Sequence, residues 1–168
     1  ITVVYDGKTL EEGKVLGIFP EGTYHKEDLL KVKDILKQND LSDIKIYAKI
    51  ENMEGVNNLE KIIPYCDHIV IARGDLGNAT GLTYLPVVQK RIEDICKQHD
   101  MPYMVVTEML SSMIENEIPT RAEVSDIFHA VYHGAKSVML TNETAIGKYP
   151  IAAMKVLFEV AKEAKKIK

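Results

Sequence analysis

Cysteine is scarce in this chain: Cys66 and Cys96 are the only two in 168 residues. They lie far apart and form no C-x-x-C pair, so neither a disulfide framework nor a zinc site is suggested, and a reducing, cytoplasmic setting is expected. No apolar run approaches the about 18 residues of a membrane helix, and the N-terminus lacks the basic and apolar regions of a signal peptide. A soluble protein with no membrane partner is therefore expected. Excess positive charge is also missing. Twenty-one basic against 25 acidic residues leave a net charge of −4, spread along the chain, which gives nucleic acid no basic footprint and a membrane no polybasic anchor. What is present, 46% hydrophobic and 27% charged residues with ten glycines and six prolines, suits one globular domain with a sizeable core.

Short apolar runs alternate with amphipathic stretches. Ile1–Tyr5 reads as a strand stopped by Asp6-Gly7, and Val15–Phe19 as a second strand ended by Pro20-Glu21-Gly22. Leu29, Leu30, Val32, Ile35 and Leu36 recur at helical spacing between Lys26 and Asn39. Ile44, Ile46, Ala48 and Ile50 then alternate with Lys45, Tyr47, Lys49 and Glu51, the period of a strand. A short helix is predicted from about Asn57 to Pro64, with Asn57 and Glu60 as a capping pair. Next come a strand at His68–Ala72, a helix at Tyr84–Gln98 and a strand at Tyr103–Val106. Thr120 and Glu123 form a capping box for a helix ending at Gly134, followed by a strand at Ser137–Leu140 and a last helix opened by Pro150.

Repeated strand–helix units at a period of roughly 30 residues imply a parallel sheet with right-handed crossovers. A doubly wound sheet and a (β/α) barrel both satisfy that pattern. Four successive strands, however, end in chemically equipped residues: Lys49 and Glu51, Asp75, Thr107 and Glu108, Thr141 and Glu143. Barrel active sites collect at such C-terminal strand ends, which favours an α/β fold of the parallel TIM-barrel type. A closed barrel takes eight strands and about 250 residues. A single partial barrel domain of five or six strands, part of something longer, is the expectation for residues 1–168. Two open sheet edges and an apolar barrel interior would invite a second copy or a complementary half-barrel.

Lys49 and Glu51 are two apart on one strand and so share a face. If Asp75 ends the neighbouring strand, its carboxylate lies near that of Glu51, and a divalent cation would relieve their repulsion. Magnesium suits one or two carboxylates plus substrate oxygens. With Lys49 aimed at the same anion, the set fits phosphoryl transfer, whose catalysis is mostly positioning and charge stabilisation. On spacing alone, a structural ion network of Lys49, Glu51 and Arg73 explains the same residues equally well. Gly74 and Gly77 read either as close backbone approach to a ligand or as ordinary turn chemistry. Arg121 reads as a solvated first-turn arginine, and His129 and His133, four apart on one helix face, as a weak metal pair lacking a third ligand. The methionines read as core.

At these residues the sequence resembles the pyruvate kinase family. Lys49-Ile50-Glu51-Asn52-Met53-Glu54-Gly55, Ala72-Arg73-Gly74-Asp75-Leu76-Gly77, Gln89-Lys90, Met109-Leu110, Ser112-Met113, Pro119 through Asp126 and Glu143-Thr144-Ala145 follow that family's signatures in order and spacing. Each alone is weak evidence; the ordered set is specific. The resemblance runs from about Ile18 to Ala161, the second half of the family's catalytic barrel. It implies that Lys49 stabilises the transferring phosphoryl group and that Glu51 and Asp75 hold the divalent metal. It further implies that Thr107 lies beside the substrate in the region linked to enolpyruvate protonation. Gly74 and Asp75 would supply backbone contacts to the substrate carboxylate. Phosphoenolpyruvate and ADP are the implied substrates, Mg2+ and K+ the implied ions.

The chain departs from the family pattern at Glu108, which adds an acid beside the site, at Asn142 in place of glycine, and at Asn78-Ala79-Thr80-Gly81. The family's first barrel strands with their potassium ligands, its lid domain and its C-terminal effector domain have no counterpart in this sequence. A non-catalytic relative serving as a binding or assembly module is the second reading, and a metal-dependent keto-acid aldolase the third.

Overall fold

The computed structural model describes residues 17–167. The strand predicted at Ile1–Tyr5, and Val15 and Leu16 of the second run, lie outside the described residues. Five strands, β1 (Gly17–Ile18), β2 (Lys45–Ile50), β3 (His68–Ala72), β4 (Tyr103–Val106) and β5 (Ser137–Met139), form one sheet in the order 1-2-3-4-5. Every pairing is parallel. Sequential order with all-parallel pairing is the topology of a curled half-barrel and excludes a doubly wound sheet, whose strand order reverses at a switch point.

Helices return the chain between strands: α1 (Lys26–Gln38), α2 (Met53–Asn57), α3 (Leu59–Ile62), α4 (Arg73–Thr80), α5 (Leu85–Gln98), α6 (Arg121–His133), α7 (Asn142–Ala145) and α8 (Pro150–Lys166). The capping box of α6 forms as its sequence dictates: Thr120 Oγ1 accepts from Glu123 N, and the Glu123 carboxylate accepts from Thr120 N at 2.7 Å. Gly134 ends α6 at φ 117°, where a side chain would be strained. The predicted 57–64 helix is instead three short pieces. Asn52, not Asn57, caps the first of them, its Oδ1 accepting from Gly55 N at 3.0 Å. A second turn begins at Leu59 and a 3-10 turn, Ile63–Tyr65, ends the run. Met53 can continue directly from β2 because Asn52 supplies the cap one residue after Glu51.

Alternation along the strands divides the core in two. Ile46, Ala48, Ile50, Ile69, Ile71, Tyr103 and Val105 face the helices and join Leu29, Leu59, Ile92, Ile127 and Leu157 in the main core. Tyr47, Val70, Ala72, Met104 and Val106 form the opposite, inner face, with Phe19 and Met139 packed against them. Phe19, Tyr47 and His68 stack along it, ring centroids 4.8 and 4.6 Å apart. The sequence led us to expect an exposed apolar interior; these five inner residues are at most 9% exposed. β5, which ends the described sheet on one side, is also only three residues long, which shortens that edge for pairing.

Candidate functional site

Strand β2 carries Lys49 on the inner face, in register with Val70 of β3. Its Nζ lies 2.8 Å from Glu51 Oε1, so the pair two apart in sequence is joined. The other oxygen, Glu51 Oε2, accepts from Gly22 N at 3.0 Å. Lys49 Nζ has a second acidic partner, Glu21 Oε1 at 3.1 Å, from the loop after β1. That loop is stitched further to β2 by Lys49 N donating to Pro20 O. Burial works to lower the pKa of Lys49, but its hydrogen bonds to Glu51 and Glu21 outweigh that effect and raise it, keeping the ammonium charged.

On β3 the outcome differs from the expected glycine loop. Ala72 passes straight into α4, which begins at Arg73 and has Gly74 and Asp75 in its first turn. Helix starts leave amide groups without intrahelical partners and favour anions. The Asp75 side chain is exposed and makes no hydrogen bond or ion pair among the described residues. Gly74 is required by packing: a Cβ there would stand 2.8 Å from Thr107 Cγ2. The first turn of α4 therefore abuts the residue that ends β4.

Thr107 (φ 73°) and Glu108 (φ 54°) are both left-handed, an arrangement that strains a β-branched threonine and persists only where its surroundings enforce it. Arg73 is part of that enforcement. Its Nε and Nη2 donate to Thr107 O at 3.3 and 3.0 Å, its Nη1 to Asp126 Oδ1 of α6 at 2.8 Å, and its Nη2 also contacts Met109 Sδ. The network imagined for Lys49, Glu51 and Arg73 is thus two separate assemblies: Lys49 pairs with Glu51 and Glu21, while Arg73 bridges the β4 loop to α6. The guanidinium leaves β2 because helix α4 turns it toward the neighbouring strand end.

The remaining polar strand ends are structural. Glu143, 1% exposed, accepts from Leu110 N and Thr141 N at 3.0 and 2.8 Å and so joins the loops after β4 and β5. Glu123 accepts from Ser112 N and Oγ as well as from its own cap. Asn142 begins α7 without a left-handed backbone, so no glycine is needed there. The histidine pair is accounted for locally: His129 Nδ1 lies 2.8 Å from Ser125 O, and His133 faces Glu93 at 3.6 Å. No group of three metal-ligating side chains occurs among the described residues. Sequence reasoning does not find Glu21, which looks like part of a strand stop, or the bond that joins Asp126, inside the 119–126 motif, to Arg73 53 positions away. No local pattern marks either one.

Comparison with known proteins supplies the family. Residues 15–154 match the family model described as pyruvate kinase, barrel domain. The chain belongs to the pyruvate kinase family. It is 46% identical over 140 residues to the pyruvate kinase of Thermotoga maritima, covering 83% of this chain and 30% of that protein. The enzyme of Borreliella burgdorferi is 43% identical over 142 residues, 84% of this chain and 30% of the relative. That of Methanocaldococcus jannaschii is 44% identical over 140 residues, 83% and 31% respectively. This pyruvate kinase relative thus spans about 30% of the length of the curated proteins it matches. The match includes β1 to β5 and every strand end described above.

Proposed function

We propose that this chain supplies one wall of a pyruvate kinase-type active site, moving a phosphoryl group between phosphoenolpyruvate and ADP, with pyruvate and ATP on the other side of the reaction. The observation that carries the proposal is the Lys49–Glu51 pair at the C-terminal end of β2, beside a β3 end that leads within three residues to the Asp75 carboxylate. Lys49, held charged by its acidic neighbours, attracts the transferring phosphoryl group and stabilises its charge. Glu51 and Asp75 offer hard oxygen donors that fit Mg2+, and Asp75 has no hydrogen bond to surrender. When bound, the ion would offset charge on the substrate oxygens. Gly74 and Asp75, in the first turn of α4, present backbone amides suited to a carboxylate. Thr107, pressed against Gly74, places its hydroxyl next to that position and is assigned the catalytic contact to the enolpyruvate. Potassium belongs to this reading through the family alone, with no residue assigned to it.

The same reading takes residues 1–168 as one partial barrel domain acting in the cytoplasm, completed by a second copy or by a complementary half-barrel. No helix among the described residues is long and apolar enough to cross a membrane. A binding or assembly role without catalysis is the second reading, favoured by the extra acid Glu108 and by Asn78-Ala79-Thr80-Gly81, where the chain departs from the family pattern. Lys49→Met in a complete barrel assembly separates the two. The enzymatic reading expects loss of phosphoryl transfer with magnesium binding retained, and wild-type turnover in that variant would refute it.

A further inference from the structure

We infer that Glu21 is a built-in competitor for the anion position at Lys49, so that it sets how strongly a phosphoryl or carboxylate ligand can be held there. The inference rests on the phosphoryl-site reading of Lys49. An ammonium group has three protons to donate. One is directed to Glu51 Oε1 at 2.8 Å and another to Glu21 Oε1 at 3.1 Å. Lys49 is therefore a single cation shared by two carboxylates, a local balance that repels an incoming dianion.

The two carboxylates differ in kind. Glu51 is 14% exposed and pinned on its far oxygen by Gly22 N. Glu21 is 79% exposed, with its far oxygen bound to nothing among the described residues. Glu51 cannot leave without uncovering a buried charge, whereas Glu21 can swing into water at small cost, since an exposed ion pair is worth about 1 kcal/mol or less. A ligand oxygen approaching Lys49 thus replaces Glu21 Oε1 and leaves Glu51 in place. The loop that carries Glu21 stays anchored during this exchange, because Gly22 N still donates to Glu51 and Lys49 N to Pro20 O. Only the side chain moves. Glu21 thereby weakens every anion at this position in proportion to the pair it must give up, and favours ligands whose negative charge is partly offset by a metal at Glu51 and Asp75.

The test is calorimetric titration of the 168-residue chain with inorganic phosphate at fixed magnesium, for wild type, Glu21→Gln, Lys49→Met and the double variant. Thermal melts confirm that each is folded, and Glu21→Ala serves as a second neutral substitution. Glu21→Gln and Glu21→Ala should tighten phosphate binding about 2–5-fold, the equivalent of an exposed ion pair, with magnesium affinity in the absence of phosphate unchanged. The gain should vanish when Lys49 is also replaced. Unchanged or weaker phosphate binding in both Glu21 variants, with Lys49→Met still impaired, overturns the competitor role and leaves the phosphoryl site standing. A gain that persists without Lys49 also overturns it, since Glu21 would then act only through net charge. No phosphate binding by any variant overturns the competitor and the site reading together.

Discussion

Replacing Arg73 by methionine removes the side chain that ties the strained loop after β4 to helix α6. The arginine side chain is 11% exposed, so its bonds form largely out of water. Its two hydrogen bonds to Thr107 O are charge-assisted, and their loss costs about 1.5–3 kcal/mol with the carbonyl left unpaired. Asp126 is 37% exposed and rehydrates when released, which discounts that half of the bridge to about 1 kcal/mol. Methionine retains much of the aliphatic packing, so the expected total is about 3 kcal/mol, or a fall in Tm of about 6–12 °C for a domain of this size. Urea unfolding followed by circular dichroism measures it. Arg73→Lys should fall between the two, because an ammonium can pair with Asp126 but cannot also fork to Thr107 O. A double-mutant cycle with Asp126→Asn should show coupling of about 1 kcal/mol. If Arg73→Met loses less than about 0.5 kcal/mol, as an ordinary surface substitution would, the bridge does not hold the Thr107 loop.

Other substitutions test neighbouring parts of the same frame. Gly74→Ala would normally stabilise a helix by up to about 1 kcal/mol, but the added Cβ meets Thr107 Cγ2 at 2.8 Å, so a loss of about 1–3 kcal/mol is expected in denaturant melts. Glu143→Gln keeps one acceptor where Leu110 N and Thr141 N now use two oxygens and should cost about 2–3 kcal/mol by the same measurement. At Glu123, burial works to raise the carboxyl's pKa, but hydrogen bonds from Ser112 and Thr120 outweigh it and hold it below the ordinary 4.5. A carboxyl lowered on folding stabilises above its unfolded value and loses that contribution as pH falls through the folded one. Melts taken downward from pH 4.5 should therefore drop more steeply in the wild type than in Glu123→Gln.

Much of the scaffold was legible because its signals are local. Period-two alternation in Ile44–Ile50 and the Thr120/Glu123 box depend on neighbours within a few residues, and the strand and the cap formed where expected. Lys49 and Glu51 were legible for the same reason, as i and i+2 on one strand. The first turn of α4 was not. Arg73-Gly74-Asp75 has the composition of a loop, and neither the helix that starts with no spacer after β3 nor the close packing of Gly74 on Thr107 is marked by neighbouring residues. The partners of Arg73 were hidden too, since Thr107 and Asp126 lie 34 and 53 positions away. Glu21 reads as punctuation because nothing in Pro20-Glu21-Gly22 signals that a neighbouring strand will bring Lys49 within 3.1 Å. Motif resemblance named the chemistry of the site, while the strain at Thr107 and the sharing of Lys49 between two acids appear only in three dimensions.

The most direct test of the phosphoryl-site account is calorimetric titration of the 168-residue chain with oxalate, a dianion able to bridge a metal and Lys49, with and without magnesium. Magnesium-dependent oxalate binding at about millimolar concentration or tighter, equivalent to roughly 4 kcal/mol, is expected, with its loss in Glu51→Gln and Asp75→Asn variants that still melt cooperatively. Absence of magnesium-dependent binding, or binding that survives both substitutions, would contradict it.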